Sequence, residues 1–150
     1  MASQTLYLRI CPRLGVVPMI AKYIEGVQWV EDGMEWPFLN CWGLARLFRH
    51  ECYGLPLLPR SDGIVADDKA GLTKACGRVV ADHLQEIAKP VAGALATSWR
   101  GKLCMHVAVV AELEGRMIIL ESTSGAGCRW MRLQDWERSQ PRVKYYHDKH

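Results

Sequence analysis

Apolar positions along the chain change their period near Pro90. Before it they recur at the spacing of a helix face; after it they run or alternate as strands do. Pro18 to Glu25 reads as a short helix stopped by Gly26. Gln28 to Leu39 holds Gly33, Pro37 and two tryptophans and reads as an ordered loop. Cys41, Leu44, Ala45, Leu47, Phe48 and Cys52 then follow helical spacing, and Gly54 and Pro56 end that helix. Leu55 to Ala66 is loop. Asp67 and Asp68 are candidate N-caps for a longer helix reaching about Ala88 and closed by Pro90. Its stripe is Leu72, Ala75, Cys76, Val79, Val80, Leu84 and Ile87, and Gly77 interrupts it.

The second half reads as strands. Ala92 to Trp99 is one, followed by a turn at Arg100-Gly101-Lys102. Leu103 to Leu113 is a β-branched strand, Glu114-Gly115 a turn, and Met117 to Thr123 the next strand. Cys128 to Leu133 and Val143 to His147 complete the set, and Thr5 to Cys11 is either a strand or an irregular arm. Helices followed by an antiparallel meander predict an α+β fold with the helices on one face of the sheet. No repeat or linker divides the chain, so residues 1–150 are expected to form one domain.

Composition narrows the classes. The chain has 150 residues, 49% hydrophobic and 23% charged, an ordinary globular balance that excludes a disordered or collagenous chain. No apolar run is long enough to span a bilayer. No basic segment leads into an apolar stretch and cleavage site, which predicts synthesis in the cytoplasm without a signal peptide. The net charge of +3 is spread along the chain, so nucleic acid is not the expected partner. Six cysteines occur, at 11, 41, 52, 76, 104 and 128, with no C-x-x-C pair and no histidine at zinc-finger spacing. They are expected as free thiols, mostly small core residues, without a metal.

One of them has a different context. Asn40 is a good N-cap, which places Cys41 in the first turn of its helix. Free N–H groups and the helix dipole there favour a thiolate, and the same groups could hold an oxyanion. The other reading is a buried cysteine opening a core helix, and on these features alone it weighs more.

A nucleophile needs a base. His50 lies about half a turn round the same helix from Cys41 and faces away. His83 sits at the edge of another helix's stripe, and His147 and His150 lie at the C-terminal end. His106 heads an otherwise apolar strand, where a polar group is either paired or functional. A two-residue turn at Glu114-Gly115 puts His106 opposite Thr123 and Ala108 opposite Glu121. His106 and Glu121 then share a face as diagonal neighbours, about 7–8 Å apart in backbone. Glu121 could orient the imidazole, with Thr123 the other candidate. A three-residue turn would reverse the parity.

Asn40-Cys41-Trp42-Gly43-Leu44, His106-Val107-Ala108-Val109-Val110 and Ile119-Leu120-Glu121-Ser122, in that order, resemble the NlpC-type cell-wall peptidases. These are papain-like cysteine peptidases that cut peptidoglycan stem peptides. The likeness is to the compact members encoded with tail-assembly proteins of tailed bacteriophages. Their pattern is Asp-Cys-Trp-Gly-Leu on a helix, His-Val-Gly on a strand and a polar residue ending the next strand. Gly26 to Val30, Gly54 to Pro59, Gly125 to Cys128 and Tyr145-Tyr146 also fit, so the resemblance runs from Gly26 to His147.

The resemblance implies Cys41 as nucleophile, His106 as general base and acid, and Glu121 in a third position where relatives have His, Asn or Gln. It implies substrate or oxyanion contacts from Trp29, Asn40, Trp42 and Thr123. Asn40 departs from the usual Asp, Trp29 from a tyrosine, Ala108 from a glycine, and Gly93-Ala94 from Gly-Asp. The implied fold is papain-like and NlpC-type, with N-terminal helices on a central antiparallel sheet. The implied activity is hydrolysis of the amide between γ-D-glutamate and a diamino acid, without metal or organic cofactor. The implied partners are the stem peptide and phage tail-tip or baseplate proteins, with assembly into a virion tail and action in the periplasm or wall. A tail-tip structural or wall-binding protein with a vestigial site, a related thiol hydrolase or acyltransferase acting on lipid or small amides, and an antibacterial amidase effector are the alternatives.

Overall fold

The computed structural model describes residues 12–60 and 67–149, so the expected strand or arm at Thr5–Cys11 lies outside the described residues. In chain order the elements are α1 (Pro12–Gly26), β1 (Met34–Glu35), β2 (Phe38–Leu39), α2 (Cys41–Tyr53), α3 (Lys69–His83), β3 (Leu84–Ile87), β4 (Leu95–Arg100), β5 (Leu103–Leu113), β6 (Arg116–Thr123), β7 (Gly127–Arg132), α4 (Leu133–Ser139) and β8 (Val143–Asp148). β1 and β2 form a small hairpin. The other six strands form one antiparallel sheet in the order β3-β8-β4-β5-β6-β7. The fold is mixed α+β, as the change of period predicts.

Period two along the strands divides the core into two layers. Val107, Val109, Ala111, Ile118 and Leu120 face one way and pack with Tyr23, Leu44, Phe48, Leu72 and Cys76 from α1, α2 and α3. Ala108, Val110 and Ile119 face the other way and pack around Trp136 of α4, with Ala94, Ala96 and Tyr145. Each fully buried Leu, Ile or Phe here stabilises the fold by roughly 1.5–3 kcal/mol relative to exposure.

The turn at Glu114-Gly115 fixes the alternation. Both residues have positive φ, 51° and 79°. That matches a two-residue hairpin whose twist suits the flanking strands. β5 and β6 pair from Leu113↔Arg116 to Val109↔Leu120. On the other side of β5 the pairing with β4 is irregular, with Ser98 opposite His106 and Trp99 opposite Cys104, leaving Met105 as the extra residue.

Four expectations need correction. The first helix is longer than Pro18–Glu25, beginning at Pro12 with Pro18 inside it. The long helix ends at His83 rather than Ala88. Leu84 turns to extended backbone, and Leu84–Ile87 pairs with β8, so sheet pairing overrides the helical spacing of Leu84 and Ile87. The strands are not a simple meander, because β8 inserts between β3 and β4. Helices do not lie on one face alone, because α4, absent from the sequence reading, covers the other.

Arg49 ties α2 to the far side of the sheet. Its guanidinium is fully buried, donates from Nε to the Gly93 carbonyl at 2.7 Å, and pairs with Asp148 of β8.

Gly43, in the first turn of α2, lies against the Gly33-Met34 backbone. A Cβ there would stand 2.3 Å from the Gly33 oxygen and 3.2 Å from the Met34 Cα. Backbone cannot rotate away as a side chain can, so Gly43→Ala should destabilise the protein by about 2–3 kcal/mol. The urea midpoint, at unchanged m-value, measures it. A midpoint equal to that of the wild type would show that α2 does not seat this closely.

Candidate active site

Cys41 owes its position to Asn40. The Asn40 backbone is extended at φ −84°, ψ −173°, and its Oδ1 accepts from Gly43 N–H at 2.8 Å. Its Nδ2 donates to the Glu31 carbonyl at 3.0 Å, and its own N–H donates to the Gly33 carbonyl at 2.9 Å. One side chain therefore caps α2 and pins the preceding loop. Ser122 Oγ of β6 adds a tie to the Leu39 carbonyl at 2.8 Å, locking this loop to the sheet. The first intrahelical bond runs from Leu44 N–H to the Asn40 carbonyl. None of these bonds uses the Cys41 amide, which belongs to the open first turn of the helix.

His106 comes from β5 at the point where that strand leaves regular pairing. Its Nε2 stands 2.8 Å from Glu121 Oε1, and its side chain is 20% exposed. With Nε2 so engaged, Nδ1 is the nitrogen left for Cys41, which lines the same cleft and interacts electrostatically with the ring. The structure thus brings Cys41, His106 and Glu121 together at one site. Glu121, not Thr123, makes the bond to His106; the Thr123 Oγ1 is buried with no hydrogen-bond partner.

Electrostatics follow from this contact. Burial pushes the Cys41 thiol up, but the His106 hydrogen bond and charge, the Val107 backbone N–H and Lys69 outweigh it, and the thiol lies below its ordinary value. Burial pushes the imidazole down, yet hydrogen bonds and charge from Cys41 and Glu121 raise it to about 9. Burial raises Glu121, but His106, Arg129 and Trp136 together bring it down to about 2. The shifts oppose one another in sign, the direction that favours a thiolate facing an imidazolium over the neutral pair. Cys52 and Cys128, by contrast, are pushed up to about 12 by burial. Cys104 lies well above the ordinary thiol range, chiefly through its hydrogen bond with Cys76 and through burial.

Cys41 and His106 open onto a cleft of about 410 Å³, lined also by Trp29, Glu31, Asp67, Lys69, Ser122, Thr123 and Ser124. Two residues expected to contact substrate do not reach it. Trp42 is 1% exposed and its indole donates to the Pro59 carbonyl at 3.0 Å, so it is a core residue. The Asn40 side chain is consumed by the cap. Trp29 and Thr123 do line the cleft.

Two neighbours of Glu121 escaped the sequence reading. Arg129 of β7 donates from Nε to Oε2 at 2.8 Å, and Trp136 of α4 donates from Nε1 to Oε1 at 3.0 Å. Arg129 could have been found as the opposite charge directly across from Glu121, given the register of the β6–β7 hairpin. Trp136 gave no usable signal, since its helix has only seven residues. Among the described residues the other histidines stand apart: His50 Nδ1 meets the Leu55 carbonyl, His83 ends α3 and His147 lies in β8. Among the described residues the cysteines are free thiols, and no three His, Cys, Asp or Glu side chains form a metal-ligand set. Among them, too, no helix is long and apolar enough to cross a membrane.

No protein-family model and no curated protein sequence matches the chain. The chemistry is therefore read from the geometry itself.

Glu121→Gln removes a negative neighbour of the imidazolium while keeping its shape. The sign is fixed: His106 should titrate lower, moving from about 9 toward its ordinary value. NMR titration of the ring measures it. A His106 curve unmoved by this substitution would remove Glu121 from the electrostatics of the site.

Proposed function

We propose that the protein is a papain-like cysteine peptidase of NlpC type that hydrolyses amide bonds in peptidoglycan stem peptides. One observation carries the reading: a thiol in the first turn of α2 meets a histidine whose other ring nitrogen is held by a buried carboxylate, at an open cleft. A nucleophile, a base and an orienter in line are the working parts of covalent acyl transfer.

In this reading the Cys41 thiolate attacks the scissile carbonyl carbon. The developing oxyanion lies by the Cys41 backbone N–H, at the positive end of α2. The imidazolium of His106 gives its Nδ1 proton to the departing amine, leaving a thioester. Neutral His106 then takes a proton from water, the hydroxide adds to the thioester, and the acid product leaves as the thiolate reforms. Glu121 holds the Nε2–H throughout.

Glu31, Asp67 and Lys69 put both signs of charge around the cleft. This supports a stem peptide, which carries carboxylates and an amine; the bond between γ-D-glutamate and a diamino acid is the one the motif resemblance implies. A virion tail is the setting the motif resemblance supplies, with tail-tip or baseplate proteins as partners and the periplasm or wall as the place of action. Trp29 favours a second reading. It lines the cleft where the resembling peptidases carry a tyrosine, as a wall-binding protein with a vestigial site could afford to do.

Digestion of purified peptidoglycan, with fragment masses, tests the proposal. Cys41→Ala should abolish release of fragments and keep the fold. His106→Ala should be as damaging as Cys41→Ala. The double variant should be little worse than either alone, because the two groups act as one unit. Cys52→Ala should cost stability and spare activity. Intact wall after wild-type treatment, with binding retained, would support the vestigial reading instead.

A further inference from the structure

We propose that Arg129 and Trp136 are positioning residues. Arg129 keeps Glu121 anionic, Trp136 fixes the direction in which its carboxylate faces, and through Glu121 both orient His106 toward Cys41. This rests on the reading of Cys41, His106 and Glu121 as a catalytic unit.

Donors and acceptors around the carboxylate decide its charge state. Glu121 is 2% exposed, and a carboxylate removed from water tends to take up a proton unless its environment favours the anion. Its Oε2 meets Arg129 Nε at 2.8 Å. Its Oε1 meets Trp136 Nε1 at 3.0 Å and His106 Nε2 at 2.8 Å. A guanidinium and an indole can only donate. A protonated carboxyl could turn its O–H only toward His106 Nε2, since Arg129 and Trp136 cannot accept, and the guanidinium on Oε2 opposes that proton and favours the anion. Because Oε1 then only accepts, the proton on the His106 edge sits on Nε2. That leaves Nδ1 to exchange a proton with Cys41.

Each partner is placed by a different element. Arg129 lies directly opposite Glu121 across the β6–β7 hairpin, so pairing alone puts both on one face. Its side chain is 53% exposed, and solvent partly screens its charge. Trp136 is fully buried and is the apolar anchor of α4 against Ala108, Val110 and Ile119. The same indole that seats α4 therefore also fixes Oε1. Around Glu121 the titratable and charged groups are His106 from β5, Arg129 and Cys128 from β7, with the neutral indole from α4. Around Cys41 they are His106 and Cys104 from β5 and Lys69 from α3, with Glu31 and Asp67 also on the cleft wall.

The test reads the site without wall substrate. The rate of Cys41 alkylation by iodoacetamide is followed against pH, with labelling assigned by peptide mapping. Losing the Arg129 charge makes Glu121 easier to protonate and the thiolate harder to form, and both effects have one sign. In Arg129→Met the acid limb should rise by about one pH unit. Arg129→Lys should restore most of it, and high salt should shrink the difference between Met and wild type. Trp136→Phe keeps the ring and removes the donor. Above the His106 titration, where the ring is neutral, it should turn a single Nε2–H tautomer into a mixture, read from imidazole nitrogen shifts by NMR. A purely structural role would lower stability and leave both readouts unmoved. An Arg129→Met limb coinciding with wild type, or one unchanged tautomer in Trp136→Phe, overturns the proposal. Shifted readouts in a protein that leaves peptidoglycan intact would uphold it and sink the peptidase reading.

Discussion

A carboxylate taken out of water has to be surrounded by donors, and at Glu121 that requirement organises the site. Three N–H groups satisfy it, from His106 on β5, Arg129 on β7 and Trp136 on α4. None of the three is near Glu121 unless the sheet register is right and α4 is seated. The demand therefore couples the central strands to α4 on the far face. An unmatched donor set would leave a charge without compensation in the core, a heavier penalty than removing one apolar neighbour. The charge then acts outward, since an imidazole beside a fixed anion is a better partner for a thiolate.

Register was the most legible part of the fold. Two adjacent residues, Glu114 and Gly115, suffice to count β5 against β6, because side chains alternate with period two. The count put His106 and Glu121 on one face, where the structure has them bonded at 2.8 Å. Asn40 was legible for a similar reason: capping is local chemistry, needing only an acceptor before an apolar periodic run. It marked the start of α2 to the residue. Local rules with a fixed geometry carry over from sequence to structure.

What stayed hidden depended on partners distant in the chain. Leu84 and Ile87 continue the helical stripe of α3 in spacing, and nothing local says that residues 143–148 will claim them as a sheet edge. The insertion of β8 between β3 and β4 is invisible for the same reason. α4 is too short to show a period, and its ring finds meaning only against Ala108, Val110 and Ile119. Trp42 misled in the opposite direction. It sits beside the nucleophile in sequence, but a helix turns about 100° per residue, so its indole points into the core and bonds the Pro59 carbonyl.

These differences explain how two halves with different stiffness can meet accurately. The His106 side is a paired sheet, whose residues are fixed by ladder hydrogen bonds and two-sided packing. The Cys41 side is a helix start following a loop, which would ordinarily be the more mobile partner. It is stiffened at three points: Asn40 grips the Glu31 and Gly33 backbone, Gly43 lets α2 press against Gly33, and Ser122 reaches from β6 to Leu39. Ser122 follows Glu121 in sequence and points to the opposite face. One dipeptide of β6 thus holds the His106 ring through its carboxylate and the loop before Cys41 through its hydroxyl. The same strand therefore acts on both sides of the cleft. In the proposed chemistry, proton transfer between Cys41 and His106 falls off steeply with misplacement, and this shared anchorage is what would guard against it.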